Sequence, residues 1–434
     1  MTSRQILGIG IFTAVVLIYV LVFYLFTHRQ EPTVTEIYFA DRMTEAHHLL
    51  INRYNALHAG SIKVVPIDFP NSEFNTDTRK ELLARSLRGE DDAIDVLAVD
   101  VIWVHRFAKW CEPLGKYFTD AERKRVRAKA METCYHEGEL VAVPLDIVLG
   151  VMYYREDLLK QFPRSDQTFQ QIRKGMTWAQ FLQLQARLNW KGPFYIFPAA
   201  DYEGLICSYI ELVLSLRPDY FETVGFRFDT PETKKALQLL VDLVHTYSAT
   251  PRAVSNFTEV PSYAYFIRHD GLFIRGWTSY EKDFKYEAID REKEQHLRMA
   301  PIPYPAGGKP KSVFGGWNIM VSKASTKKEA AIDFVKFLLE DQSQEIFYTL
   351  GGYYPVINSF YSDTTFLRRY PEIAAINELM TFGAHRPLGE NYTKYSKIMA
   401  RYFSLAIMGK ISVDDALRRV HTAIVSEDSE SGGR

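Results

Sequence analysis

The 434-residue chain sets 52 Lys and Arg against 53 Asp and Glu, a formal net charge of -1 without a long basic run. That balance excludes a binding mode built on phosphate neutralisation, so no nucleic-acid partner is expected. Hydrophobic residues at 47% and charged residues at 24% are ordinary globular values, enough for a sizeable core and for several domains at about 100–200 residues each.

The first signal along the chain is Ile6 to Phe26, 21 residues without a charge. At ~1.5 Å rise per residue such a helix is about 32 Å long, close to the ~30 Å hydrocarbon core of a bilayer. It exceeds the ~7–15 apolar residues of a signal peptide. The following Thr27-His28-Arg29-Gln30-Glu31-Pro32 has no small-residue cleavage pattern and no Cys for a lipid. The expectation is an uncleaved signal anchor and linker over residues 1–34. It would hold the chain single-pass in the inner membrane with its body on the extracytoplasmic side. A cleaved signal with an unusual site is the alternative. Arg4 favours a cytoplasmic N-terminus and Arg29 opposes it.

Strand-like and helix-like segments then alternate. Val34 to Ala40 reads as a strand ending at Asp41, Ala46 to Leu57 as a helix, and Ile62 to Phe69 as a strand that Pro66 assigns to an edge or bulge. Arg79 to Leu87 is helical. Ile94 to Val101 is a nearly continuous apolar run, broken by Asp95 and Asp100, that suits a strand buried on both faces. This β-α-β-α-β opening predicts an open α/β sheet, where ligands bind beyond the carboxyl ends of the strands. Asp41 and Asp100 fall at such ends.

Later helices carry start signals: Thr177 with Gln180, Thr230 with Pro231, Thr326 with Glu329, and Asp341 with Gln344 before a stop at Gly351-Gly352. Gly271 to Arg275, Met299 to Pro303 and Val313 to Ser322 read as strands, and the polar tail from Ser426 to Arg434 as disordered. His47-His48 is placed on an exposed or partly buried helix face. No metal-ligand spacing appears. Of Cys111, Cys134 and Cys207, the first two could pair if the body faces an oxidising compartment, a pairing the sequence leaves open. The 26 Tyr, 28 Phe and 6 Trp fit either a large aromatic core or a site for flat, amphipathic ligands.

Four segments, in order, carry a family resemblance. They are Ile94 to Val104 with Phe107-Ala108; Ala142 to Asp146 with Gly150 to Leu158; Tyr202 to Leu205; and Gly315 to Lys323 followed by Gly351 to Val356. Arg386-Pro387 and Tyr392 add to them. From about Thr35 to Ala423 the chain resembles the carbohydrate-binding extracellular solute-binding proteins of the maltose/trehalose type, which serve ABC importers. The resemblance implies an α/β, type II periplasmic-binding-protein fold with two lobes and a hinge. By analogy lobe one covers residues 35–147 plus 275–317, and lobe two 148–274 plus 318–434. Crossings would fall near Asp146–Gly150, Ile274–Trp277 and Gly316–Ile319. It further implies a monomer that binds a small carbohydrate without cofactor or metal and delivers it to transporter permease subunits. A retained anchor departs from most relatives.

A sugar offers hydroxyls in a rigid pattern and apolar C–H patches, so its site needs charged acceptors and flat aromatics. Asp41 and Asp100 are candidate acceptors, although Asp100 also suits a helix N-cap. Trp103 either stacks on ligand or packs. Asp146 takes a ligand or a structural partner. Tyr202 and Glu203 are site candidates, Glu203 alternatively favouring a helix dipole. Trp277 is the stacking candidate. Gly315 and Gly316, beside Trp317, either expose backbone to ligand or form a bulge. Tyr353 and Arg386 are expected to close over the ligand from the C-terminal lobe, Arg386 alternatively pairing with a surface acid. Two other function classes fit the same residues: a carbohydrate-active enzyme using Asp146 and Glu203, at the ~5–9.5 Å separations of glycosidase carboxylates, and a tethered sugar sensor.

Overall fold

The computed structural model describes residues 13–20, 23, 34–70, 76–89, 93–279 and 291–431. Of the expected anchor, residues 13–20 and 23 are helical, and the rest of 6–26 lies outside the described residues. Among the described residues no helix is long and apolar enough to cross a membrane.

Two sheets organise the body. The five-stranded first sheet is built from β1 (Thr35–Asp41), β2 (Ile62–Asp68), β3 (Val96–Asp100), β4 (Val143–Pro144) and a later strand, Trp317–Val321. β2 is its edge strand, which is why Pro66 is tolerated there. β3 lies at the centre, parallel to β1 and antiparallel to Trp317–Val321. Central placement explains its apolar run. Asp95, immediately before β3 and fully buried, accepts from Tyr38 N at 2.8 Å and Ser325 Oγ at 2.5 Å, and so escapes the cost of an unpaired charge.

The second sheet contains β5 (Val148–Arg155), β6 (Tyr195–Ile196), β7 (Phe273–Trp277), β8 (Leu297–Ala300), β9 (Ser312–Gly315) and, late in the chain, Gly383–Ala384. The strand after β9 is β10 (Trp317–Val321), back in the first sheet, and Gly383–Ala384 is β11. The chain therefore crosses between sheets at Asp146, at Gly316 and before Gly383. The first two sheet-to-sheet crossings fall at positions that the resemblance implied.

The crossing expected at Ile274–Trp277 is corrected. β7 pairs residue for residue with β5, Trp277 opposite Gly150, and remains wholly in the second sheet. The expected lobe division shifts with it. β8 and β9 join the second sheet, whereas the helices between β10 and β11 return to the first body and those after β11 pack on the second. In the first body α1 (Glu45–Leu57) meets the segments Lys328–Leu338 and Asp341–Gly351, Tyr54 bonds Asp333 at 2.7 Å, and Arg127 bonds Asn377 at 2.9 Å. One strand read over Val313 to Ser322 is in fact two, broken at Gly316. Its φ of +128° admits only glycine readily, and a Cβ there would stand 2.5 Å from the Asp146 carbonyl oxygen.

Local start signals meet mixed outcomes. Thr177 and Gln180 form a capping box, and Thr230 caps the helix that opens at Pro231. Thr326 does not cap: the helix begins at Lys328 after Lys327. Asp341 is the first helical residue, and buried Gln344 accepts from Val356 N at 2.9 Å and donates to Leu338 O at 3.1 Å. The helix ends at left-handed Gly352, as read. The tail from Ser426 is not disordered through Ser431 but continues a helix, Val413–Ser431. The buried stripe Val413, Ala416, Leu417, Val420 and Ile424 docks that helix, and Tyr395 bonds Asp428. Residues 432–434 lie outside the described ones. His47 is buried rather than partly exposed, because its ring bridges Thr44 and Asp41.

The pairing of Cys111 with Cys134 is corrected as well. All three cysteines are free and buried, and burial pushes the Cys111 thiol up to about 12. The native protein should resist a thiol reagent at pH 8. In denaturant without reductant all three thiols should react, and a count of one would restore the disulfide.

Candidate functional site

The crossings bring the carboxyl end of β3, the start of β10, the end of β7 and the N-terminus of α2 (Glu203–Leu216) to one seam between the sheets. At its centre stands Arg386, two residues past β11 and only 3% exposed. Its Nη2 donates to Asp100 Oδ1 at 2.8 Å, and its Nη1 to Glu203 Oε1 at 3.0 Å. Asp100 ends a strand of the first sheet, and Glu203 opens a helix of the second body. One guanidinium thus ties the two lobes together. Tyr392 donates to the same Glu203 oxygen at 2.7 Å.

The electrostatics follow from that arrangement. Burial works against the Arg386 cation, but Asp100 and Glu203 outweigh it and hold the guanidinium protonated well above its ordinary range. Burial raises the Glu203 carboxyl, with Arg386 opposing. Of the roles read for Asp100, the helix cap is seen: its Oδ1 accepts from Ile102 N at 3.1 Å as well as from Arg386. Glu203 likewise sits in the first turn of α2, where the helix dipole favours its charge. Neighbouring contacts reinforce the seam: Arg106 Nη1 reaches Thr393 Oγ1 at 3.3 Å, and His385 Nε2 lies 3.1 Å from Glu132.

Two tryptophans flank the ionic centre, both partly exposed. Trp277 ends β7, its N–H donating to Tyr263 Oη at 3.2 Å and its carbonyl accepting from Tyr153 Oη at 2.9 Å. A Cβ at Gly315 would stand 2.9 Å from the Trp277 ring, so Gly315 makes room for that ring. Trp317 opens β10 opposite Asp100, and its N–H donates to Asp146 Oδ1 at 2.7 Å. Asp146, 1% exposed, therefore has a backbone partner at the crossing. Trp103 is buried at 1%, stacked on Phe107 and edge-on to Trp317 at 5.7 Å, so in this form it packs beneath the site. Tyr202 precedes Glu203. Burial and the adjacent Glu259 raise its hydroxyl far above the ordinary range.

Two candidates lie in the first-sheet body without bonding to Arg386. Asp41 is 2% exposed and engaged by Arg79 at 2.5 Å and His47 at 3.1 Å. Burial would raise its carboxyl, but the Arg79 cation and the His47 bond drive it well below the usual carboxylate range. Tyr353 follows the Asp341–Gly351 helix, against His47 and Phe347. It belongs to the first-sheet body and not, as expected, to the C-terminal lobe. Sequence reasoning missed Arg79, Glu211 and Arg275. The available signal was a lone charge in each of two apolar stretches: Glu211 in Ile206 to Leu216, and Arg275 in Leu272 to Trp277.

Residues 40–345 match the family model described as bacterial extracellular solute-binding protein. A probable ABC transporter-binding protein of Deinococcus radiodurans is 27% identical over 337 residues, 76% of this chain and 78% of that one. Maltose-bound T. maritima MalE3 superposes with a TM-score of 0.79 at 24% identity, over 90% of this chain and 99% of that one. The sugar-binding protein MalE of Xanthomonas citri gives 0.72 at 19% identity, over 92% and 100%. At these identities the structural likeness establishes the two-lobe periplasmic-binding-protein fold.

The raised Glu203 carboxyl fixes the sign of one pH effect. A carboxyl that binds its proton more tightly when folded contributes stability that is fully present below its unfolded value, 4.5. That contribution is lost as pH rises through the higher folded value. Wild type should therefore gain thermal stability relative to Glu203→Gln as pH is lowered toward 4.5, read as an upward shift of its melting temperature minus that of the variant. A difference that does not change with pH would contradict it.

Proposed function

The chain belongs to the bacterial extracellular solute-binding proteins, and from that premise we propose that it binds a small saccharide between its lobes and delivers it to the permease of an ABC importer. Membership implies a body outside the cytoplasm. The carrying observation is the seam itself. Asp100 and Glu203, from opposite lobes, converge on Arg386, flanked by partly exposed Trp277 and Trp317. Carboxylates and a guanidinium suit a ring of hydroxyls, and indole faces suit the C–H patches of a sugar. The solved neighbours support the choice, since one holds maltose and another is named a sugar-binding protein.

Binding works by closure and needs no covalent step. A ligand that touches both lobes favours the shut form by its differential affinity for it. Asp146 holds the crossing through Trp317 N and Glu203 is bound by Arg386 and Tyr392, which supports a binding role for these carboxylates over acid–base work. The chain acts as a monomer, with residues 6–26 as its tether.

Maltose, used as the probe, should raise the melting temperature and be recovered intact. Trp277→Ala should weaken maltose binding at least about tenfold, ~1.4 kcal/mol, with little change in the ligand-free melting temperature. Maltose cleaved to glucose would replace this reading with an enzyme, and no response across mono- and disaccharides would end it. Carbonate-washed membranes should retain the full chain and release one beginning at Thr35; release of both would remove the tether.

A further inference from the structure

Each seam tryptophan rests against a buried arginine that is held by a buried carboxylate. In the second lobe the Arg275 guanidinium carbon lies 4.1 Å from the Trp277 ring centroid. In the first lobe the Arg79 guanidinium carbon lies 4.1 Å from the Trp317 ring centroid. Arg275 is 0% exposed and binds Glu211 through Nε at 3.3 Å and Nη2 at 2.9 Å. Arg79 is 3% exposed and binds Asp41 at 2.5 Å and Ala98 O at 2.9 Å. Arg275 Nη1 and Arg79 Nε are buried and have no hydrogen-bond partner among the described residues.

Neither arginine reaches the seam centre, which Arg386 fills. Their local geometry explains their presence. Residues 275 and 277 alternate along β7 onto the same face of the sheet, so the guanidinium plane can lie under the indole. Glu211, itself 2% exposed, also accepts from Val313 N at 3.3 Å and so fastens the helix to β9. A Cβ at Gly150 would stand 2.1 Å from Glu211 Oε1 and 2.7 Å from Arg275 Nη2, so the pair occupies space that glycine leaves. A desolvated cation against an indole is held more strongly than one in water, and arginine's plane adds stacking that lysine lacks.

We propose that Arg275, held by Glu211, and Arg79, held by Asp41, are positioning residues that fix the ring planes of Trp277 and Trp317. The ring order stands on geometry alone; its consequence for affinity rests on the saccharide-binding reading. A ring already held in one orientation loses less freedom when a ligand stacks on it.

The test uses the full chain labelled with 5-fluorotryptophan, whose 6 Trp give separate fluorine resonances. Trp277→Phe and Trp317→Phe assign the two lines. Arg275→Met alone would leave Glu211 buried and unpaired, so the variants are Arg275→Met with Glu211→Leu, and Arg79→Met with Asp41→Asn. Each double variant should shift and narrow the line of its own tryptophan in the ligand-free protein and leave the other unchanged. Maltose affinity should fall about tenfold, and adding Trp277→Ala to the first variant should cost no more than Trp277→Ala alone. Arg275→Lys should not restore the line. An unmoved tryptophan line in a folded double variant overturns the assignment for that ring. Lines that move in a protein that never binds maltose would uphold ring positioning and sink the saccharide reading.

Discussion

Arg386 carries a full positive charge at a place where almost no water reaches it, and the charge is tolerable there because two carboxylates from two different bodies meet it. Neither body alone supplies both. Arg386 and Glu203 belong to the second body, so joining the lobes brings Asp100 of the first body to the guanidinium and forms the charge-assisted bond that crosses the seam. A buried ion pair is weak evidence for stability, since desolvation cancels much of its attraction. That near-cancellation suits a hinge. Contacts that favoured the shut state by many kcal/mol would leave a ligand nothing to shift, whereas a nearly balanced seam lets a modest differential affinity decide the population.

The same balance sets what the proposed saccharide would have to do. In that proposal its hydroxyls offer Asp100, Glu203 and Arg386 bonds comparable with those they already make to one another. A guest lacking hydroxyls at those places would leave the groups buried and short of partners, at a cost of about 1–3 kcal/mol for each. Selectivity then comes mainly from penalising wrong ligands. The tryptophans add apolar area beside the ionic centre, and their backbones are held in place, Trp277 by Tyr263 and Tyr153 and Trp317 by Asp146.

Much of this was legible in the residues. The apolar run at β3 gave the central strand and Pro66 the edge, because these are local consequences of burial and of a missing backbone donor, whereas the crossing near Gly316 was implied by the resemblance. The resemblance named Asp100, Glu203 and Arg386 each as a site candidate, but their bonding to one another was not legible, since no spacing in the chain brings residues 100, 203 and 386 together. The misreadings share a cause. Asp41 at a strand end looks like Asp100 at a strand end, and only the tertiary partner, Arg79 in one case and Arg386 in the other, separates a carboxylate sealed in one body from one shared across the seam. Trp277 looked like a crossing because it borders the site, yet its strand is paired along its length with β5.

A lone charge in an apolar segment was the signal left unused, and it matters because such charges come in layers. Gly150 has no side chain because Glu211 stands where one would be. Glu211 is acidic because Arg275 lies against it, and Arg275 is basic and flat because Trp277 covers it. Gly315 in turn has no side chain because Trp277 needs the space. Each identity is set by the next layer outward from the sheet, so the stack transmits order from the core to the ring that faces the seam. Replacing one member leaves its neighbour with a void or an unpaired charge, whereas exchanging a charged pair together leaves only the loss of order to be measured.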